Sequence, residues 1–458
     1  MKLNRIPELQ RREFLRRVGA MGVAGAAAPW ALNLAALGEA AAATAPGDYK
    51  ALVCVFLYGG NDYGNTLVPY DSASYNAYAA IRQTLATPRD QLAATVLGQS
   101  VGGRQMALAP QLGKLKALWD AGKLGVQLNV GTLIQPTTLA QYKAQSVPLP
   151  PKLFSHNDQQ SVWQSSSPEG ATTGWGGRLG DLFLSGNGTA TFTCINASGN
   201  AVFMAGKQAV QYQVSTSGAV PINGVLRPVY GSQACSDALK ALITADRSHW
   251  MEAELNRVVA RSISAQGTVS AGLAGVPALK TVFDTTSSLS SQLQVVARLI
   301  AARQALGASR QVFFVSIGGF DLHDFLLDQH PGLLTAVNNA LGSFYDATVE
   351  LGVANQVTTF TASDFGRTLT SNGDGSDHGW GSHHVVMGGA VKGGRYWGSL
   401  PSVSVNGPDD VGQGRLLPTT AVDQLGATLA TWMGISATDL PLVLPQIGNY
   451  SQRDLGYF

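Results

Sequence analysis

Ala51-Leu-Val-Cys-Val-Phe-Leu57, followed by Tyr58-Gly-Gly-Asn-Asp62, is the stretch from which the fold is read. Seven apolar residues in a row leave no polar face. A strand with one wet side would alternate, so a continuous run closed by Gly-Gly reads as a strand buried on both faces, the habit of parallel sheets. The pattern returns downstream. Leu124-Gly-Val-Gln-Leu-Asn-Val130, Val312-Phe-Phe-Val-Ser-Ile317 and Val357 to Thr361 read as further strands. Between them Leu112 to Ala121, residues 290–307 and Leu333 to Leu351 have helical spacing of apolar positions. This alternation predicts an α/β fold with a large, mostly parallel central sheet and helices on both faces. The stretch 190–275, rich in Gly, Ser and Ala, breaks the rhythm and is expected to be an insertion or cap.

Three of the strands run straight into polar clusters, at Asn61-Asp62, Asp321-x-His323 and Asp364. Ligands of open α/β sheets sit at the carboxyl ends of strands, so these distant residues are candidates for one site. Asp62 is either a metal ligand or a cap for the following helix. Asp321 and His323 stand two apart and face the same way if extended, which suits a zinc, manganese or iron site; the alternative is a simple Asp–His hydrogen bond. Arg367, three residues after Asp364, can clamp an anion or neutralise that aspartate. Ser155, in Phe154-Ser-His-Asn-Asp158, is a nucleophile or a helix N-cap. His378, His383 and His384 fall within seven residues, and six of the seven histidines lie in these clusters, which favours a divalent metal site. Trp163, Trp175, Trp380 and Trp397 flank Gly-rich loops, as core or as stacking surfaces.

The first residues read as an address. Arg11-Arg-Glu-Phe-Leu-Arg-Arg17, an Ala/Gly-rich apolar stretch from Val18 to about Leu37, and Ala43-Thr-Ala45 have the order of a cleavable twin-arginine export signal over residues 1–45. The other reading is a membrane anchor, against which the Gly and Ala content speaks. Export implies a periplasmic or extracellular protein without a stable membrane span after cleavage. The leader carries six Lys/Arg and three Glu, leaving 25 basic against 26 acidic residues and a net charge of −1 in the remainder. With 13% charged residues there is no basic surface for nucleic acid or an anionic membrane. Cys54 lies in the first strand; Cys194 and Cys235 are free to pair in an oxidising compartment.

Taken together, the leader, Leu57-Tyr-Gly-Gly-Asn-Asp62 with Asn65-Thr66, Phe154-Ser-His156, Gly318-Gly-Phe-Asp-Leu-His323, Ser363-Asp-Phe-Gly-Arg-Thr368, Asp377-His-Gly379 and Arg415-Leu-Leu-Pro-Thr419 resemble the exported bacterial family labelled domain of unknown function 1501. That family is similar to the alkaline phosphatase and sulfatase superfamily. The resemblance implies a single alkaline phosphatase-like sandwich over residues 46–458 and one or two divalent metal ions. It implies metal ligation by Asp62, Asp321, His323, Asp364 and His378, with Ser155 at the nucleophile position. Asn61 or Arg367 would bind a non-bridging oxygen of a phosphate or sulfate ester. Two departures stand out. Phe365 follows Asp364 where the superfamily often has His, and Asp321-x-His323 replaces a common Asp-x-x-x-His. A single-metal hydrolase, a changed chemistry, or a non-catalytic exported protein that binds a ligand or protein partner all fit these departures.

Overall fold

In the computed structural model, which describes residues 48–458, the first strand β1 (Lys50–Leu57) lies in the middle of a ten-stranded sheet. The expected leader lies outside the described residues. In chain order the other strands are β2 (Leu67–Pro69), β3 (Val96–Val101), β4 (Arg104–Leu108), β5 (Leu124–Gly131), β6 (Cys194–Asn196), β7 (Tyr212–Ser215), β8 (Gly218–Ala219), β9 (Arg310–Ile317), β10 (Val357–Ser363), β11 (Ser382–Gly388), β12 (Tyr396–Trp397) and β13 (Thr420–Ala421). The large sheet runs β12-β5-β11-β10-β1-β9-β6-β7-β8, with β13 also on β5, while β2, β4 and β3 form a small antiparallel sheet. β1 pairs in parallel with β9 on one side and β10 on the other. The sheet is mostly parallel, with antiparallel pairs at β10–β11, β11–β5 and β7–β8.

The apolar run of β1 serves two cores. Ala51, Val53, Val55 and Leu57 face one hydrophobic cluster, and Leu52, Cys54 and Phe56 face another. The first is covered by α1 (Gly113–Asp120), the second by α2 (His156–Ser165) and α3 (Trp175–Asp181). Further along, α4 (Ser288–Ala301) and α5 (Leu326–Glu350) complete the first layer, and α6 (Val422–Met433) the second. Each fully buried side chain of this size contributes roughly 1.5–3 kcal/mol, so the double burial of β1 anchors the whole sheet. This is the sandwich that the sequence predicts. α5 starts seven residues before the expected Leu333, with Pro331 inside it. So near the helix start the missing N–H costs one backbone bond, and packing of Leu326 and His330 compensates.

Residues 190–275 supply β6, β7 and β8 and, later, the helices Gln233–Thr244 and Trp250–Ala274. Cys194 and Cys235 do not pair: Cys194 is buried at the start of β6 and Cys235 is exposed, and both are free thiols. Trp163, Trp175, Trp380 and Trp397 are buried, so they pack the core rather than offer stacking surfaces. Among the described residues no helix is long and apolar enough to cross a membrane.

Strand direction decides where the polar clusters go. β1, β9 and β10 run parallel, so Asn61-Asp62, Asp321 and Asp364 leave the sheet at one edge. β11 runs the other way, so the segment that leads into it, with Asp377 and His378, approaches the same edge. β5 is antiparallel to β11 and therefore ends there too, upstream of His156.

Three histidines are absorbed by the core instead. Burial pushes His330 and His383 down to about 4 and His384 to about 3. His383 accepts a hydrogen bond from the Asn129 N–H through Nδ1 at 3.0 Å, which requires a neutral ring. The folded pKa values lie below the ordinary 6.5, so the unfolded chain binds protons that the folded chain refuses. Their contribution to stability is complete above that ordinary value and is lost as pH falls toward the folded ones. Thermal unfolding scans should show a lower midpoint at pH ~4.5 than at pH ~7.5, with a shallower drop in His384→Met.

Candidate metal centre

The centre begins at Gly59, the first residue past Tyr58 at the end of β1. Its backbone has φ +115°, and a Cβ there would lie 2.3 Å from the Asp321 nitrogen. Only glycine lets the loop after β9 come this close. The Gly59 N–H donates to Asp364 Oδ2 at 3.1 Å, and its carbonyl accepts from Arg367 Nη1 at 3.1 Å. Arg367 in turn donates to Asp321 Oδ1 at 2.6 Å. One residue thus ties together the ends of three adjacent strands.

Three imidazoles converge over this platform. His378 Nε2 lies 3.0 Å from His156 Nε2 and 2.9 Å from His323 Nε2. Asp321 Oδ1 is 3.2 Å from His378 Nε2 and 3.1 Å from His323 Nε2, and its Oδ2 is 3.3 Å from His156 Nε2. Each ring is held from behind through Nδ1. His156 Nδ1 meets Asp364 Oδ2 at 2.6 Å, His323 Nδ1 meets Asp377 Oδ1 at 3.2 Å, and His378 Nδ1 meets the Phe154 carbonyl at 2.7 Å. A carbonyl can only accept, so Nδ1 of His378 carries the proton and Nε2 presents its lone pair. The carboxylates set the same tautomer on the other two rings.

Charge follows from these contacts. The Asp364 hydrogen bond raises His156 above the usual histidine range against the opposing effect of burial. Burial lowers His378, and the neighbouring His156 adds to that, while the Phe154 carbonyl opposes it. Burial works against the charge of Asp321, but Arg367 and the histidines outweigh it and hold the carboxyl below its usual range. The three facing lone pairs can be reconciled in two ways. Two extra protons can both point at His378 Nε2, or one divalent cation can take the His156 and His378 nitrogens and an Asp321 oxygen, with His323 beside it. The second route leaves no cationic rings side by side. The donor set of imidazoles and one carboxylate fits zinc, manganese or iron. The centre is open to solvent on one side, where Asp321 is 43% and His323 40% exposed.

Of the ligands expected from sequence, Asp321, His323 and His378 come together, and His156 joins them. His156, Asp321 and His378 form the one group of three or more ligating side chains that meets among the described residues. Asp364 stands behind His156 and orients it, and it also accepts from the Gly59 N–H and, at 2.7 Å, from Gln160 Nε2. Asp62 does not join. Its Oδ2 pairs with the buried Arg82 guanidinium, and its Oδ1 accepts from the Gly64 N–H at 3.0 Å, so it is a cap and a counter-ion. Asn61 is also turned inward, bonded to Thr66 Oγ1 at 3.1 Å and His330 Nε2 at 3.2 Å. Arg367 neither clamps an anion nor faces Asp364; it neutralises Asp321. Ser155 occupies the N-cap position of α2 without capping the backbone, and its Oγ donates to Asp158 Oδ2 at 3.0 Å. Sequence reasoning singles out Ser155 and passes over its neighbour His156. The available signal was the pair His156 and Gln160, four apart on one helix face.

The chain belongs to the family described as protein of unknown function DUF1501. The family model matches residues 49–441. No curated protein sequence matches the chain. Among solved structures this DUF1501 chain is similar to Ps i-CgsB in complex with k-i-k-neocarrahexaose, at 9% identity over 88% of this chain and 77% of that one, with a TM-score of 0.36. It is similar to the lipoteichoic acid synthase LtaP from Listeria monocytogenes, at 8% identity over 90% and 81% of the two chains and a TM-score of 0.36. A variant of the alkaline phosphatase PafA matches at 10% identity over 71% and 64%, with a TM-score of 0.27.

Two measurements separate the ligands from the rest. By elemental analysis, His156→Ala and Asp321→Ala should lose a bound divalent ion that Asp62→Asn keeps. Asp62→Asn should instead destabilise by roughly 3–5 kcal/mol, because it leaves Arg82 buried without its counter-charge. Metal affinity should fall as pH drops through the titration of His156, since its raised pKa means a proton must leave before the ring can ligate. Proton release measured by calorimetry in two buffers checks this.

Proposed function

We propose that this chain is an exported hydrolase of phosphate or sulfate esters that works with one divalent ion held by His156, Asp321 and His378, with His323 beside them. The observation that carries the reading is the His156 and His378 Nε2 atoms and the Asp321 carboxylate meeting at a solvent-open strand end. When bound, the ion would supply Lewis-acid polarisation of an ester oxygen.

The chain's own groups supply the rest. α2 starts beside the centre, and among the described residues the N–H groups of His156, Asn157 and Asp158 have no acceptor. Those N–H groups and the helix dipole favour an anionic substrate there. Ser155 lies between Phe154 and His156, both of which touch the centre. Its hydroxyl already donates to the buried Asp158, so the proton lost on attack has an acceptor in place. Asp364 and Asp377 keep His156 and His323 in the ligating tautomer. Arg367 keeps Asp321 ionised.

A second reading is a non-catalytic exported binding or assembly protein. It is favoured by Asn61 and Arg367, whose polar ends are fully engaged inside the protein and not available to a substrate.

The test is turnover of aryl phosphates and aryl sulfates by protein loaded with zinc, manganese or iron. Activity should vanish in His156→Ala and with a chelator. Asp158→Asn should lower turnover by about 10²–10⁴-fold, and Ser155→Ala at least as much. Full turnover in Ser155→Ala would overturn the covalent route. Loaded protein without turnover of either ester class would favour the second reading.

A further inference from the structure

We infer that Arg415 grips the anionic group of the substrate beside the metal centre, an assignment that rests on the anionic-ester reading above. Arg415 opens the Arg415-Leu-Leu-Pro-Thr419 stretch, whose role the chemistry so far leaves unassigned. Its guanidinium is anchored by two residues that themselves touch the centre. Nε donates to the His378 carbonyl at 2.6 Å, and the guanidinium carbon lies 4.9 Å from the centroid of the Phe154 ring. Phe154 is held at φ +72°, a left-handed conformation costly for this residue type, and its carbonyl is the acceptor for His378 Nδ1. A tight turn presents the arginine: its N–H bonds the Gly412 carbonyl at 3.0 Å and its carbonyl takes the Val411 N–H at 3.0 Å.

Arg415 differs in charge balance from the three fully buried arginines. Arg82 faces Asp62, Arg310 faces Asp48 and Arg367 faces Asp321. Among the described residues no carboxylate lies within ion-pair distance of Arg415, and its outer nitrogens make a single long contact, Nη1 to the Gly412 carbonyl at 3.4 Å. An arginine that is half-buried, oriented through Nε and left with its Nη edge free matches a tetrahedral oxyanion, which takes two parallel N–H bonds. Arg367, the sequence candidate for this task, is occupied by Asp321, so the site has its anion-binding arginine on another loop. A lysine would lack both the Nε donor that fixes the group to His378 and the planar surface that rests on Phe154.

The experiment uses the zinc-loaded protein and inorganic phosphate as the probe, with binding followed by calorimetry and zinc content measured on the same samples. Arg415→Gln should keep its zinc and bind phosphate about 10- to 100-fold more weakly, the factor carried by a charge-assisted hydrogen bond or two. Unchanged phosphate affinity in Arg415→Gln would overturn the assignment. Loss of zinc in that variant would overturn it as well, by making the residue a support for His378. If Arg415→Gln does not fold, Arg415→Lys decides: weaker phosphate binding with zinc retained is expected, and unchanged binding overturns the assignment. A wild-type protein that holds zinc and binds no phosphate would remove the anionic-ester reading itself, an outcome distinct from equal binding by wild type and variant.

Discussion

Three imidazoles that bring His378 Nε2 to 3.0 Å from His156 Nε2 and 2.9 Å from His323 Nε2 are the constraint on which the rest of this structure depends. Left alone they repel. They stay in place because each ring is fixed from behind, by Asp364, by Asp377 and by the Phe154 carbonyl. Those supports are themselves rigid. Asp364 is buried at the end of β10 and receives the Gly59 N–H, and Asp377 is held by Asn372 and Thr368. A cation at the focus would turn a repulsive arrangement into an attractive one.

The sheet makes this possible by direction as much as by position. β1, β9 and β10 deliver their carboxyl ends to one edge, and the antiparallel β11 brings in its leading segment there. Beyond the strands the pairing continues as isolated bridges, Asn61 with Gly366 and Arg367 with His378. The backbone of a ligand histidine is therefore an extension of the sheet, and its side chain inherits that rigidity. Burial of β1 on both faces fixes the platform, so small displacements of the loops are resisted by two cores at once.

The carboxylates of the strand ends separate into roles by what they meet. Asp62 encounters a buried arginine and becomes structural. Asp321 meets Arg367 on one side and the imidazoles on the other, and remains partly exposed. Asp364 is withdrawn behind a histidine. A second metal would need Asp62 or Asp364 released from these contacts, and the phenylalanine after Asp364 packs its ring 4.8 Å from that of His156 instead of adding a ligand.

Hydrophobic patterning alone determined β1, β5, β9 and β10, the double burial of β1, the layered α/β class and the edge at which the polar clusters emerge, because two-face burial is a local property of composition. The same reading gathered Asp62, Asp321, His323 and Asp364 at one edge, and the family resemblance added His378. It did not reveal that Asp62 is diverted by Arg82, 20 residues on, or that Arg367 belongs to Asp321, 46 residues back. Nor did it separate His383 and His384, whose place on β11 sends them into the core, from His378 just before that strand. Only the tertiary structure decided those matters. The role of a charged or ligating side chain is set by which opposite charge or lone pair lies within a few ångströms, and that is a property of strand register and loop approach between segments far apart in the chain.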